Sequence, residues 1–121
     1  MTYCLIVDDS SVIRKVARRI IEGFGFQVTE ARDGEQALEQ CRLLMPDVIL
    51  LDHLMPGIDG HEVLKTVRSM PEGKRPKIVF CTTENDLAPI TRAMRSGATD
   101  YMLKPFDRPL VEAKFQDVGI I

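Results

Sequence analysis

Val48-Ile49-Leu50-Leu51 and Ile78-Val79-Phe80-Cys81 are apolar at every position, without the polar alternation that marks a strand with one wet face. Such runs suit strands covered on both sides, and the usual cover for a parallel sheet is a layer of helices on each face. Three further runs share the β-branched and aromatic bias: Tyr3 to Val7, the short Val28 to Ala31, and Tyr101 to Leu103. Each is bounded by polar, Gly or Pro residues. The sequence therefore predicts five short strands.

Helical patterns fill the intervals. Ser10 or Ser11 caps a first helix in which Val12, Ile13, Val16, Ala17, Ile20 and Ile21 recur at helical spacing, and Gly23 and Gly25 end it. Arg14, Lys15, Arg18 and Arg19 occupy the rest of its circumference and read as a solvated face. Asp33 opens a second helix carrying Ala37, Leu38, Cys41 and Leu44, which Pro46 stops. A third runs from about Gly60 through Val63, Leu64, Val67 and Met70 to Pro71. A fourth carries Leu87, Ile90 and Met94 and ends near Gly97, and a fifth carries Leu110, Val111 and Phe115. The strict βαβαβαβαβα alternation predicts an α/β fold: one doubly wound parallel sheet, with residues 1–121 forming a single domain.

Composition narrows the function. Sixteen Lys and Arg against eighteen Asp and Glu leave a formal net charge of -2, so no global field draws the chain to nucleic acid or an anionic membrane, and neither partner is expected. Cys4, Cys41 and Cys81 fit no zinc spacing and read as reduced core thiols. The N-terminus lacks the basic segment of a signal peptide, and no apolar run approaches the ~20 residues of a membrane span. A cytoplasmic location is the expectation.

The chemistry collects at strand ends. In an open parallel sheet, ligands bind beyond the carboxyl ends of the strands, where the strand order reverses. The first predicted strand ends in Asp8-Asp9, the third in Asp52, the fourth in Thr82-Thr83 and the fifth in Lys104-Pro105. An acid closing a run as apolar as 48–51 is costly unless it is exposed, paired or metal-bound. Three carboxylates on one edge offer the hard oxygen ligands that Mg²⁺ prefers, and a lysine and a hydroxyl beside them meet the needs of a phosphoryl group. Asp52 is then the nucleophile, Asp8 and Asp9 hold the ion, Lys104 pairs with phosphoryl oxygens, and Thr82 donates a hydrogen bond to them. The backbone carbonyl of Leu54, two residues past Asp52, offers the ion a further oxygen.

These residues carry a family resemblance. Val7-Asp8-Asp9-Ser10, Asp33-Gly34, the stretch from Asp47 to Gly60 around Asp52, Thr82, Gly97-Ala98 and Tyr101-Met102-Leu103-Lys104-Pro105-Phe106 together resemble a response-regulator receiver domain of two-component signalling, of the stand-alone chemotaxis type. The resemblance implies a flavodoxin-like strand order 2-1-3-4-5. It also implies phosphoryl transfer to Asp52 from a phosphohistidine of a histidine kinase or histidine phosphotransfer protein, with Mg²⁺ required. Such a chain is a signalling protein that assists its own phosphorylation and dephosphorylation, and not an enzyme in the ordinary sense. The implied switch turns Thr82 toward the phosphoryl oxygens and rotates Tyr101 inward. That remodels the face of the fourth helix, fifth strand and fifth helix, where a downstream effector protein binds. The implied Lys104-Pro105 peptide bond is cis.

Departures from the pattern bear on lifetime and scope. Thr83 stands where the family commonly has alanine, adding bulk beside the acceptor. Leu54 and Glu84 flank the path of an attacking water, the first excluding it and the second orienting it. His53 and His61 read as solvent-facing turn histidines. The residues after Phe106 suffice only for the fifth helix, so a stand-alone regulator without an effector domain is expected, with Val118-Gly119-Ile120-Ile121 completing the core. Two other classes use the same parts: an unphosphorylated receiver-like interaction module, and an aspartyl-phosphate hydrolase, against which the Asp-Asp-Ser order argues.

Overall fold

The computed structural model describes residues 1–83 and 87–121. Five strands, β1 (Tyr3–Val7), β2 (Gln27–Ala31), β3 (Val48–Asp52), β4 (Lys77–Thr82) and β5 (Asp100–Leu103), alternate with five helices. These are α1 (Ser11–Glu22), α2 (Gly34–Leu43), α3 (Gly60–Ser69), α4 (Leu87–Arg95) and α5 (Arg108–Asp117). All strand pairs are parallel, in the order β2-β1-β3-β4-β5. The order reverses at β1, which sets the ends of β1 and β3 side by side.

The unbroken apolar runs are explained by burial on both faces. Leu5, Val7, Ile49, Leu51, Ile78 and Phe80 join Ala37, Leu38, Val63, Leu64, Val67 and Ala93 from α2, α3 and α4 in one core layer. Alternate residues Cys4, Ile6, Val48, Leu50, Val79 and Cys81 join Ala17, Ile21, Val111 and Phe115 from α1 and α5 in the other. Period-two alternation thus exists, but it divides one apolar set between two cores. Burial pushes the thiols of Cys41 to about 11 and Cys81 to about 12, and all three cysteines are unpaired, as expected of inert core thiols.

Helix starts follow capping chemistry. Ser10, Asp33, Asp59 and Asp107 each accept a hydrogen bond from the backbone N–H three residues on. Several sequence expectations need correcting. Val12 and Val16 of α1 are 67% and 44% exposed, because the helix turns only Ala17 and Ile21 fully inward. Lys15 and Arg19 are solvated as expected, but Arg14 and Arg18 are half-buried and both clamp Glu30 of β2, at 2.9 and 2.7 Å. Leu44, Leu87 and Met94 face outward. At the C-terminus, Val118 is buried and Ile120 packs on the α1–α5 core, while Ile121 is half exposed. Among the described residues no helix is long and apolar enough to cross a membrane.

Candidate functional site

Beyond the carboxyl edge, β1 ends at Val7 and delivers Asp8, while β3 ends in Asp52 itself, and both carboxylates are buried. The Asp8 backbone is fixed twice, donating to the Ala31 carbonyl at 3.1 Å and accepting from Arg14 Nη1 at 2.7 Å. Its side chain accepts from the Ser10 N–H at 2.9 Å. Lys104, one residue past β5, reaches back across the sheet edge, its backbone N–H donating to the Thr82 carbonyl at 2.9 Å. Its Nζ lies 2.9 Å from Asp8 Oδ2 and 2.9 Å from Asp52 Oδ1. The Lys104-Pro105 bond is cis, as the resemblance implied.

One carboxylate oxygen from each of Asp8, Asp9 and Asp52 falls within 4.8 Å of the others. Asp9 is the exposed member of the set. A pocket of about 130 Å³ over them is lined by Asp9, Asp52, His53, Leu54, Thr82, Thr83 and Lys104. The α3 N-terminus presses on its base: the Gly60 N–H donates to the His53 carbonyl at 2.9 Å, and a β-carbon at Gly60 would overlap the Asp52 carbonyl. Only glycine lets the helix start there.

The electrostatics are those of an acid-rich, partly desolvated site. Burial raises the Asp52 carboxyl above its ordinary range, the hydrogen bond from Lys104 opposes this, and the charges of Asp8 and Asp9 add to the rise. Burial pulls Lys104 down, but its hydrogen bonds to Asp52 and Asp8 outweigh that and hold the ammonium above its usual value. Three carboxylates against one ammonium leave two negative charges in excess, the charge a divalent ion cancels. An oxygen-only donor set of this kind suits Mg²⁺ rather than a softer metal.

Every described residue that the sequence reading assigned to the pocket lines it or, like Asp8, bonds to a residue that does. Tyr101 lies outside it, 36% exposed, with Lys114 Nζ 4.7 Å from its ring centroid. Glu84 lies outside the described residues. The histidine expectation is overturned for His61 and met only in part by His53, which sits at a bend after β3 and is half-buried. His61 is on α3, only 5% exposed, and its Nε2 is 2.7 Å from Ser96 Oγ. The His53 ring packs on Phe80 at 5.3 Å between centroids, on the α3–α4 side of the sheet. No local signal reveals this, because it depends on which neighbours β3 and α4 acquire.

A family model for the response regulator receiver domain matches residues 4–116. The chain belongs to that family. Among characterised receiver proteins, the transcriptional regulatory protein CseB of Streptomyces coelicolor is 34% identical over 117 residues, covering 97% of this chain and 49% of that protein. The DNA-binding response regulator MtrA of Mycobacterium tuberculosis is 35% identical over 102 residues, covering 84% of this chain and 43% of MtrA. The chain spans less than half the length of these two relatives. Among solved structures, the chemotaxis response regulator CheY4 of Vibrio cholerae superimposes with a TM-score of 0.92 at 33% identity, covering 98% of both chains. The five-stranded order and helix placement are those of this CheY-like, flavodoxin-type receiver fold.

Proposed function

We propose that Asp52 accepts a phosphoryl group from a phosphohistidine of a histidine kinase or histidine phosphotransfer protein, and that the acyl phosphate switches a protein-binding face. The observation that carries this is Lys104 Nζ at 2.9 Å from Asp52 Oδ1 in a pocket that gathers three carboxylates. An Asp52 carboxylate oxygen attacks phosphorus, the P–N bond to the donor imidazole breaks, and the imidazole leaves with its electron pair. Lys104 meets the charge on the phosphoryl oxygens and Thr82 donates a hydrogen bond to them. Asp8, Asp9, Asp52 and the Leu54 carbonyl would hold Mg²⁺, which supplies neutralisation of the charge between carboxylate and phosphate. Leu54, with its side chain 57% exposed at the mouth, and Thr83 on the wall limit the approach of hydrolytic water.

The switch is read at α4, β5 and α5. Exposed Leu87 and Met94 with the half-exposed Tyr101 and Leu103 give that face an apolar character suited to an effector protein. Inward rotation of Tyr101 breaks its contact with Lys114 and so changes both the shape and the charge of the face.

Intact mass after incubation with a small-molecule phosphodonor and Mg²⁺ tests the reading. One added phosphoryl group is expected, absent from Asp52→Asn and from protein treated with EDTA. A folded protein that gains no adduct and binds no beryllofluoride, beside an active receiver treated in parallel, removes the phosphoacceptor assignment.

A further inference from the structure

Behind the acceptor pocket lies a second, differently built cavity. It measures about 300 Å³ and is lined by His53, His61, Phe80, Ala88, Pro89 and Arg92. It adjoins an outer groove of about 560 Å³ between α3 and α4, with which it shares His61, Ala88 and Arg92. Lys65 and Arg95 stand on the walls of that groove, and no carboxylate lines either space among the described residues.

Two details set the cavity apart from a solvated basic surface. His53 Nδ1 and His61 Nδ1 are both buried, and neither has a hydrogen-bond partner among the described residues. Buried polar nitrogens are as a rule hydrogen-bonded, so a pair of them on one cavity marks it as a place suited to a polar ligand. The second detail is a contrast within the molecule. Arg14 and Arg18 on α1 are each matched to Glu30, whereas Lys65, Arg92 and Arg95 form no ion pair among the described residues. A negatively charged acceptor would answer both details at once.

We propose that the α3–α4 cavity binds a small oxyanion, with the imidazole N–H groups of His53 and His61 and the guanidinium of Arg92 as donors. His61 Nε2 lies 2.7 Å from Ser96 Oγ; in the proposed complex the hydroxyl donates to it, which leaves the ring proton on Nδ1 to donate to the ligand. Arg92 presents the planar fork that matches phosphate or carboxylate oxygens. Lys65 and Arg95 at the mouth raise the local concentration of anions. His61 is held below its ordinary range, first by burial and then by Arg92, with Lys65 adding to this and Asp59 and Glu62 opposing, so a bound anion raises its titration. The site is separate from phosphoryl transfer, sharing only the His53 wall with the acceptor pocket. A ligand seated there bears on α4 from beneath and biases the helix the proposed switch uses.

The test is a titration of inorganic phosphate, and in a second arm succinate, into protein labelled with ¹⁵N-histidine, in Mg²⁺-free buffer at constant ionic strength. His53 and His61 ring resonances are expected to shift saturably with a dissociation constant of about 1 mM. Arg92→Ala, a change at an exposed position, weakens this about tenfold, while Asp52→Asn leaves it unchanged. Saturation by phosphate alone assigns a phosphoryl-type ligand, and by succinate a carboxylate. Ring resonances that stay still, that follow ionic strength alone, that respond equally in Arg92→Ala, or that lose their response in Asp52→Asn overturn the proposal.

Discussion

The acceptor pocket and the α3–α4 cavity meet at His53 and pose opposite electrostatic problems. In the first, three carboxylates share one ammonium and the deficit is positive charge; in the second, the Nδ1 atoms of two imidazoles have no hydrogen-bond partner and a guanidinium has no ion pair among the described residues, and the proposed deficit is negative charge. The fold settles neither deficit internally, although it does so elsewhere, matching Arg14 and Arg18 to Glu30 and satisfying half-buried Arg68 with the carbonyls of Gly97, Gly73 and Pro76. An imbalance left standing in a cavity reports the sign of what the cavity is built to hold.

Five changes break or sharpen that contrast. Gly60→Ala should be the most damaging, at about 3 kcal/mol, because the new β-carbon meets the Asp52 carbonyl and lifts α3 off the strand end. Urea unfolding measures the loss, and phosphorylation of the surviving fold should slow with it. Lys104→Ala removes the ammonium that bridges Asp8 and Asp52. Transfer from a small phosphodonor should slow about 100-fold, or ~2.7 kcal/mol, as followed by intact mass against time.

Mg²⁺ at ten times its dissociation constant should stabilise the native chain by about 1.4 kcal/mol, and Asp9→Asn should largely abolish that gain. Asp52→Asn without Mg²⁺ should raise stability by about 1 kcal/mol at neutral pH. The sign follows from the raised Asp52 carboxyl. The stability linked to its protonated form is complete below the ordinary aspartate value and is lost as pH rises through the folded one. The advantage of the variant should therefore shrink as pH falls toward 4. An advantage that grows in acid would mean that Lys104 dominates burial.

The smallest effect belongs to the basic side. Arg92→Ala should change stability by less than about 0.5 kcal/mol, since the side chain is exposed and has no ion pair to lose among the described residues. It should nevertheless raise the His61 titration seen by NMR, because one of the charges holding it low is gone. A large destabilisation would show that the guanidinium carries structural contacts and weaken the contrast.

Most of the fold and the whole acid cluster were legible in the sequence, since both rest on local signals. Unbroken apolar runs required a two-faced sheet, alternation with helical patterns required parallel crossovers, and polar residues directly after the runs had to reach one edge. What sequence periodicity could not supply was the sharing of surface among neighbours. Val12, Val16, Leu44, Leu87 and Met94 continue helical stripes yet face outward, because a short helix on a five-stranded sheet buries only the narrow line that touches it. Arg14 and Arg18 looked solvated until β2 brought Glu30 to them. His53 and His61, eight residues apart and unremarkable in a turn-rich segment, became walls of one cavity only when α4 packed beside α3 and β5. The sequence by itself determined the strands, the crossovers and the acids at their ends, because each follows from the chemistry of a few adjacent residues. Tertiary structure alone decided which charges found partners and which did not, because a partner across the sheet or from another helix has no local trace in the chain.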